Sequence, residues 1–177
     1  MKKVILKNKS VIMFRELDAH DAEVVLDYLN KVGGETDFLT FGEEGISYTV
    51  EQEKVVLRNM KETERNYMIG GYINENLVTI GSITSSSKKR LKHKADIGIS
   101  VLKDYWNFGI GSRMMEHLIS LCKEKNFKKI DLLVYENNDK AIKLYEKFGF
   151  IKEGLLSRDV LIEETFYSSY HMGLKID

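Results

Sequence analysis

The sequence predicts a mixed α/β fold, one sheet flanked by helices. Two observations carry this. Strand-like and helix-like periodicities alternate in the order strand, two helices, three strands, helix, strand, helix, two strands. A Gly-x-Gly turn joins the central strand to its helix, and the next strand is expected to run parallel to the first. No repeat, low-complexity tract or linker divides the 177 residues, so a single domain over 1–177 is expected.

Residues 10–17 (Ser-Val-Ile-Met-Phe-Arg-Glu-Leu) read as the first strand, with Asp18 placed to cap the helix that follows. In that helix Val24, Val25, Tyr28 and Leu29 recur at helical spacing. Gly33-Gly34 ends it and opens an irregular segment, 35–45. A second helix over 50–61 carries Val55, Val56 and Met60 on one side, together with Gln52. Strands 67–73 and 77–84 are joined by the tight Asn74-Glu75-Asn76 turn. The basic run 88–94 is a loop or strand end. A fourth strand, 95–102, alternates Ile97, Ile99 and Val101 against Asp96, Gly98 and Ser100.

After the glycine turn, a helix to about 126 places Ile110, Met114, Leu118, Leu121 and Cys122 on an apolar stripe. Ile130, Leu132 and Val134 mark a fifth strand. The helix 138–148 is expected to bury Ala141, Leu144, Tyr145 and Phe148, spaced i, i+3, i+4, i+7. Strands 150–161 and 165–174 close the chain through a turn at Glu163-Glu164.

At 43% hydrophobic and 31% charged, the composition is that of a globular domain with a full core. No apolar run approaches membrane-spanning length, and the basic first residues lack the apolar stretch of a signal peptide. Cys122 is the only cysteine, which rules out an internal disulfide and favours an intracellular, cytoplasmic chain. Zero net charge gives no general pull toward nucleic acid or membranes. The run 88–94 lacks interleaved aromatics and reads as a solvated hairpin end rather than a nucleic-acid site. His20, His93, His117 and His171 show no ligand spacing to one another or to Cys122, so no metal is expected. With no proline, element ends must rely on Gly, Asn, Asp and Ser.

The stretch Tyr-Trp-Asn-Phe-Gly-Ile-Gly-Ser (105–112) leads straight into a helix, where unpaired backbone N–H groups can hold phosphate oxygens. A nucleoside-triphosphate loop needs Gly-Lys-Ser/Thr, but Gly111 is followed by Ser112-Arg113. A dinucleotide fingerprint needs a small residue where Met114 stands, although Glu136 could serve as the acid ending the next strand. A third form, Arg/Gln-x-x-Gly-x-Gly/Ala, grips the pyrophosphate of coenzyme A; Trp106-Asn107-Phe108-Gly109-Ile110-Gly111 departs from it only at the first position. The same glycines also fit a plain tight strand-to-helix turn.

Four stretches together resemble the GNAT superfamily of N-acetyltransferases. They are Ala-Asp-Ile-Gly-Ile-Ser-Val-Leu (95–102), the glycine turn, Asn-Asp-Lys-Ala-Ile-Lys-Leu-Tyr-Glu-Lys-Phe-Gly-Phe (138–150), and the closing Tyr-His-Met-Gly-Leu (170–174). The resemblance implies a GNAT-type acyl-CoA N-acyltransferase fold. That fold is a mixed, mostly antiparallel sheet of six to seven strands with helices on both faces, its fourth and fifth strands splayed. It implies acetyl-CoA as acyl donor, no metal, and direct attack by a primary amine in a ternary complex. The amine would be a small molecule or a protein N-terminus.

Residue by residue, the resemblance implies that Ile99, Ser100 and Val101 meet the pantetheine amides, with the Val101 region polarising the thioester carbonyl. The amides of Asn107, Phe108, Gly109, Ile110, Gly111 and Ser112 would hold the pyrophosphate. Asn138 would contact the cofactor arm. Tyr145 would hydrogen-bond or protonate the departing thiolate, a role that competes with plain packing on its helix. Asp96 is the candidate base, equally readable as a solvated or ion-paired carboxylate. Glu35, Asp37, Glu43 and Glu44 could attract a cationic amine, or simply form a charged loop. A non-catalytic acyl-CoA sensor with the same fold is the alternative function, and a homodimer pairing through the closing strands is an option.

Overall fold

The computed structural model describes residues 2–176 and has eight strands among them. Met1 and Asp177, the ends of the domain read as 1–177, lie outside the described residues. The chain groups into two units: residues up to Thr84 with Gly98–Leu118, and Ser85–Ile97 with the residues from Ile119 onward.

The first unit contains β1 (Lys2–Ile5), β2 (Val11–Glu16), β3 (Tyr67–Ile73), β4 (Asn76–Ser85) and the second half of β5 (Lys94–Val101). β1 is the strand that periodicity missed. Lys2, Lys3 and Ile5 are exposed, so the segment shows no inward alternation. It becomes a strand by pairing antiparallel with β2, from Lys2↔Phe14 to Ile5↔Val11. β3 and β4 form the expected hairpin. Asn74 and Glu75 take φ of 47° and 67°, the left-handed pair whose twist matches the flanking strands. Asn76 pairs with Ile73 and therefore opens β4 rather than belonging to the turn.

Asp18 caps a short 3-10 turn (Ala19–Asp21) that leads into α1 (Ala22–Gly33). Asp18 accepts from the His20 N–H at 3.0 Å, and Asp21 accepts from the Asp18 N–H at 2.9 Å. In α1, Val25, Tyr28, Leu29 and Val32 form the inward stripe. Val24 falls about 100° off it and is exposed. α2 (Val50–Glu62) starts on a reciprocal cap in which Gln52 donates to and accepts from Thr49. Its buried residues are Glu53 and Leu57, whereas Val55, expected inside, is exposed. The core of this unit joins Leu17, Val25, Tyr28, Leu57, Tyr72 and Leu102.

α3 (Ile110–Glu124) carries the expected stripe, with Ile110, Met114, Leu118 and Cys122 buried, Met115 joining them, and Leu121 only half-buried. Gly81 on β4 permits close packing: a Cβ there would stand 2.6 Å from Met114 Sδ.

The second unit holds the start of β5, then β6 (Lys129–Tyr135), α4 (Asp139–Lys147), β7 (Ile151–Ile162) and β8 (Thr165–Lys175). Its strands pair in the order β5-β6-β8-β7. β5 and β6 run parallel through Lys94↔Lys129, Ala95↔Ile130 and Asp96↔Asp131, and the ladder ends there, leaving the rest of β5 beyond it. All other described pairings are antiparallel. The β7–β8 turn places Glu163 and Glu164 at φ of 44° and 64°. In α4 the buried residue is Ile142. Ala141, Leu144, Tyr145 and Phe148, expected to be buried, are half-buried, because the nine-residue helix centres its inward face one position away. No helix among the described residues is long and apolar enough to cross a membrane.

Candidate functional site

The glycine turn owes its shape to two left-handed residues, Asn107 at φ 69° and Gly109 at φ 84°. Asparagine tolerates that region and glycine occupies it freely. Space is not the constraint at Gly109, since an added Cβ would meet nothing closer than Lys7 Cε at 3.8 Å. The Arg113 N–H donates to Gly109 O at 3.1 Å and closes the first helical turn. The amides of Ile110, Gly111 and Ser112 therefore precede the first intrahelical bond of α3 and have no i−4 carbonyl of their own. Three N–H groups at the positive end of a 15-residue helix suit an anion.

Residues 99–101, expected beside the turn's ligand, are held by side chains to which the sequence assigns no such role. Thr79 Oγ1 donates to Ser100 O at 2.7 Å, and Trp106 Nε1 donates to Val101 O at 2.7 Å. Tyr28 Oη lies 2.9 Å from Ser100 Oγ. Trp106, which occupies the arginine or glutamine position of the coenzyme A turn, thus has a structural job of its own. Tyr28 and Thr79 come from distant segments, and no local pattern marks them as partners of β5.

In the second unit, Asn138 is the N-cap of α4, and its Oδ1 accepts the Ala141 N–H at 3.2 Å. Its side-chain NH2 is what remains for a ligand. The Lys-Phe-Gly-Phe end of the motif is a helix stop. Gly149 sits at φ 89°, and the Phe148 and Phe150 N–H groups both donate to Tyr145 O, at 3.0 and 3.1 Å. That reversal brings the Phe150 ring 6.0 Å from the Tyr145 ring. Desolvation pushes the Tyr145 phenol up to about 12, although the residue as a whole is half-buried.

Asp96 lies in a charged cluster. Its register partner Asp131 is fully buried between Ile130 and Leu132. Lys94 Nζ approaches Asp131 Oδ2 at 3.2 Å, and Lys129 Nζ bridges Asp131 Oδ1 at 2.9 Å and Glu153 Oε2 at 2.6 Å. Burial pushes Asp131 up, but Lys129 and Lys94 outweigh it and hold the carboxyl below its ordinary range. Asp96 moves the other way, raised first by desolvation and then by the Asp131 charge.

Asp131, Glu153 and His171 also bring potential metal ligands within 4.8 Å of one another. The sequence reading saw His171 as isolated, and sheet pairing gathers it here. The Lys129 ammonium stands between the two carboxylates and supplies their positive charge. The geometry therefore reads as an ion-pair cluster.

Of the acids proposed to face an acceptor, Glu35 Oε2 accepts the Lys103 N–H at 2.6 Å and Glu44 Oε1 accepts the Gly42 N–H at 2.9 Å. Both tie down backbone, and the Gly42 bond holds the Glu44 carboxyl below its ordinary range. Asp37 and Glu43 are exposed. Glu53, unremarked in the sequence, is 1% exposed with no partner for Oε2, and burial pushes its carboxyl up to about 7.

Comparison with known proteins agrees with this architecture. The sequence pattern described as the Acetyltransferase (GNAT) family matches residues 37–150. L-amino acid N-acetyltransferase AaaT of Escherichia coli is 33% identical over 93 residues, 52% of this chain and 57% of that protein. The chain thus spans little more than half the length of that relative. The crystal structure of an acetyltransferase of the GNAT family from Streptococcus pneumoniae is 32% identical. It covers 93% of this chain and 99% of its own, with a TM-score of 0.89. The structure of yncA from Salmonella typhimurium with its cofactor acetyl-CoA shares the fold at a TM-score of 0.82 and 12% identity, covering 94% of each chain. With its parallel β5–β6 pair, glycine turn and α4 motif, this chain belongs to the acetyltransferase (GNAT) family.

Proposed function

We propose that this protein is a single-domain N-acetyltransferase moving acetyl from acetyl-CoA to a primary amine by direct attack in a ternary complex. The observation that carries this reading is the first turn of α3. There Gly109 at φ 84° presents the amides of Ile110, Gly111 and Ser112 without helical acceptors. In this reading those amides, with Asn107 and Phe108, hold the pyrophosphate. Ile99, Ser100 and Val101 receive the pantetheine arm, and the Asn138 NH2 contacts it.

The amine nitrogen attacks the thioester carbonyl carbon, and the Val101 N–H region stabilises the oxyanion. Collapse breaks the C–S bond, leaves the electron pair on sulfur, and releases the surplus proton of the new amide nitrogen to solvent. An alkyl ammonium has a pKa near 10.4 and must shed a proton to attack; Asp96, raised by burial and by Asp131, receives it. Tyr145 donates a hydrogen bond to the departing thiolate. Its phenol, at about 12, lies some 3.5 units above a thiol of roughly 8.5. Complete proton delivery would be uphill by about 5 kcal/mol, so the favourable role is donation without transfer.

Cys122 is fully buried on α3 and takes no acetyl group in this scheme; its thiol fits a cytoplasmic setting. A homodimer would use β7, whose outer edge is unpaired in the described order and which exposes Ile151, Leu155 and Leu161. Sedimentation at two protein concentrations tests that part.

The deciding experiment follows CoA thiol release from acetyl-CoA with pooled polyamines, amino acids, aminoglycosides and short peptides bearing free N-termini. Acceptor-dependent release is expected. Tight acetyl-CoA binding with no release from any pool would favour the sensor alternative. No acetyl-CoA binding would overturn the reading.

A further inference from the structure

Tyr28 is 3% exposed on α1, with its hydroxyl 2.9 Å from Ser100 Oγ. The phenol oxygen also receives the Ile80 backbone N–H. Either hydroxyl can donate in this pair; with the Ile80 N–H already on the phenol oxygen, the direction that uses every group has the phenol proton on Ser100 Oγ. Burial raises the Tyr28 phenol far above its ordinary value, so the proton stays in place throughout the working pH range. The Ser100 carbonyl is taken by Thr79 at 2.7 Å. In that direction, what is left on Ser100 is its own hydroxyl proton, for which the described residues offer no second acceptor although the residue is half-buried. A hydroxyl whose oxygen is occupied and whose proton is unassigned is a donor with its direction already set.

We propose that Ser100 donates this proton to a carbonyl oxygen on the pantetheine arm of the acyl donor, and that Tyr28 is the positioning residue that orients it. The inference rests on the reading that residues 99–101 receive that arm. It adds a side-chain contact to the backbone contacts of that strand and a role for a tyrosine more than 70 positions away. The chemistry recognised is an amide carbonyl on a flexible thioester arm. The nucleotide end of the same donor takes no part in it.

Titration calorimetry with two probes tests this: acetyl-CoA, and adenosine 3′,5′-bisphosphate, which keeps the nucleotide end and lacks the arm. Tyr28→Phe, Ser100→Ala and the double variant are compared with wild type. Each single substitution should weaken acetyl-CoA by up to about tenfold while leaving the bisphosphate Kd within about twofold. The double variant should lose no more than either single, because the two hydroxyls act in series. Ser100→Thr, which keeps the hydroxyl, should retain wild-type preference. A fold merely loosened by losing the Tyr28 hydroxyl would weaken both probes together, and that result overturns the proposal. An unchanged ratio of the two affinities in both single variants overturns it as well, while wild-type preference for acetyl-CoA leaves the underlying reading standing. Wild type binding acetyl-CoA no more tightly than the bisphosphate would overturn both.

Discussion

Asp96 and Asp131 stand opposite each other in parallel register at the start of β5 and β6, yet their carboxyls are pushed in opposite directions. Asp131 is buried with two lysines on it and stays ionised. Asp96 keeps solvent access, makes no ion pair of its own among the described residues, and carries the cost of desolvation and of its charged neighbour. One carboxylate thus serves as a fixed charge that makes the other a stronger base.

In the proposed mechanism Asp96 must be ionised to take a proton, and its pKa is raised. Activity should therefore fall with decreasing pH along an acid limb lying above the ordinary carboxylate range of roughly 4. Asp96→Asn should lower kcat/KM by about 100-fold and erase that limb. Asp131→Asn should move the limb to lower pH, because a raising influence is removed. A pH profile of kcat/KM for the three proteins decides it, and an identical acid limb in Asp96→Asn would falsify the base assignment.

Tyr145→Phe should lower kcat by about 10- to 100-fold with acetyl-CoA affinity unchanged, since in the proposed mechanism the hydroxyl acts on a sulfur that bears charge only late in the reaction. With the phenol near 12, no basic limb below about pH 11 should come from this residue. Stopped turnover assays with direct binding measurements separate the two effects. Unaltered turnover at every pH would remove Tyr145 from the mechanism.

Gly109→Ala forces an L side chain into φ 84°, at a cost of about 1–2 kcal/mol. The distortion falls on the amides of Ile110 to Ser112. Acetyl-CoA and adenosine 3′,5′-bisphosphate should therefore weaken together, by about tenfold, in calorimetric titrations. Selective loss of acetyl-CoA alone would contradict a phosphate role for this turn.

Glu53 bears on stability rather than catalysis. Its folded pKa of about 7 exceeds the ordinary 4.5, so the folded state holds a proton that the unfolded state releases first. Its contribution is greatest at low pH and is lost as pH rises from about 4.5 through 7, by up to about 3 kcal/mol in all. Glu53→Gln should flatten that slope in urea melts recorded between pH 4.5 and 8. A parallel slope in the variant would show that the carboxyl does not titrate in this window.

Much of the fold was determined by the sequence alone, wherever the decisive physics is local. Asn74-Glu75 and Glu163-Glu164 turn because successive residues take the left-handed region. Asp18 caps because its side chain reaches an N–H two residues on. Gly109 and Gly149 mark a helix start and a helix stop through their own φ. The same locality made the α3 stripe and the family motif at 138–150 readable.

Tertiary structure decided what depends on partners far along the chain. β1 exists because β2 offers it a ladder, not because Lys2–Ile5 alternates. Asp131 reads as a polar interruption of an apolar strand until sheet pairing brings Lys94, Lys129, Glu153 and His171 around it. Only burial gives Glu53 its raised pKa, and only folding brings the Tyr28 hydroxyl to Ser100. Local conformational preference is a property of a few adjacent residues, whereas desolvation and long-range pairing arise only once distant segments share one interior.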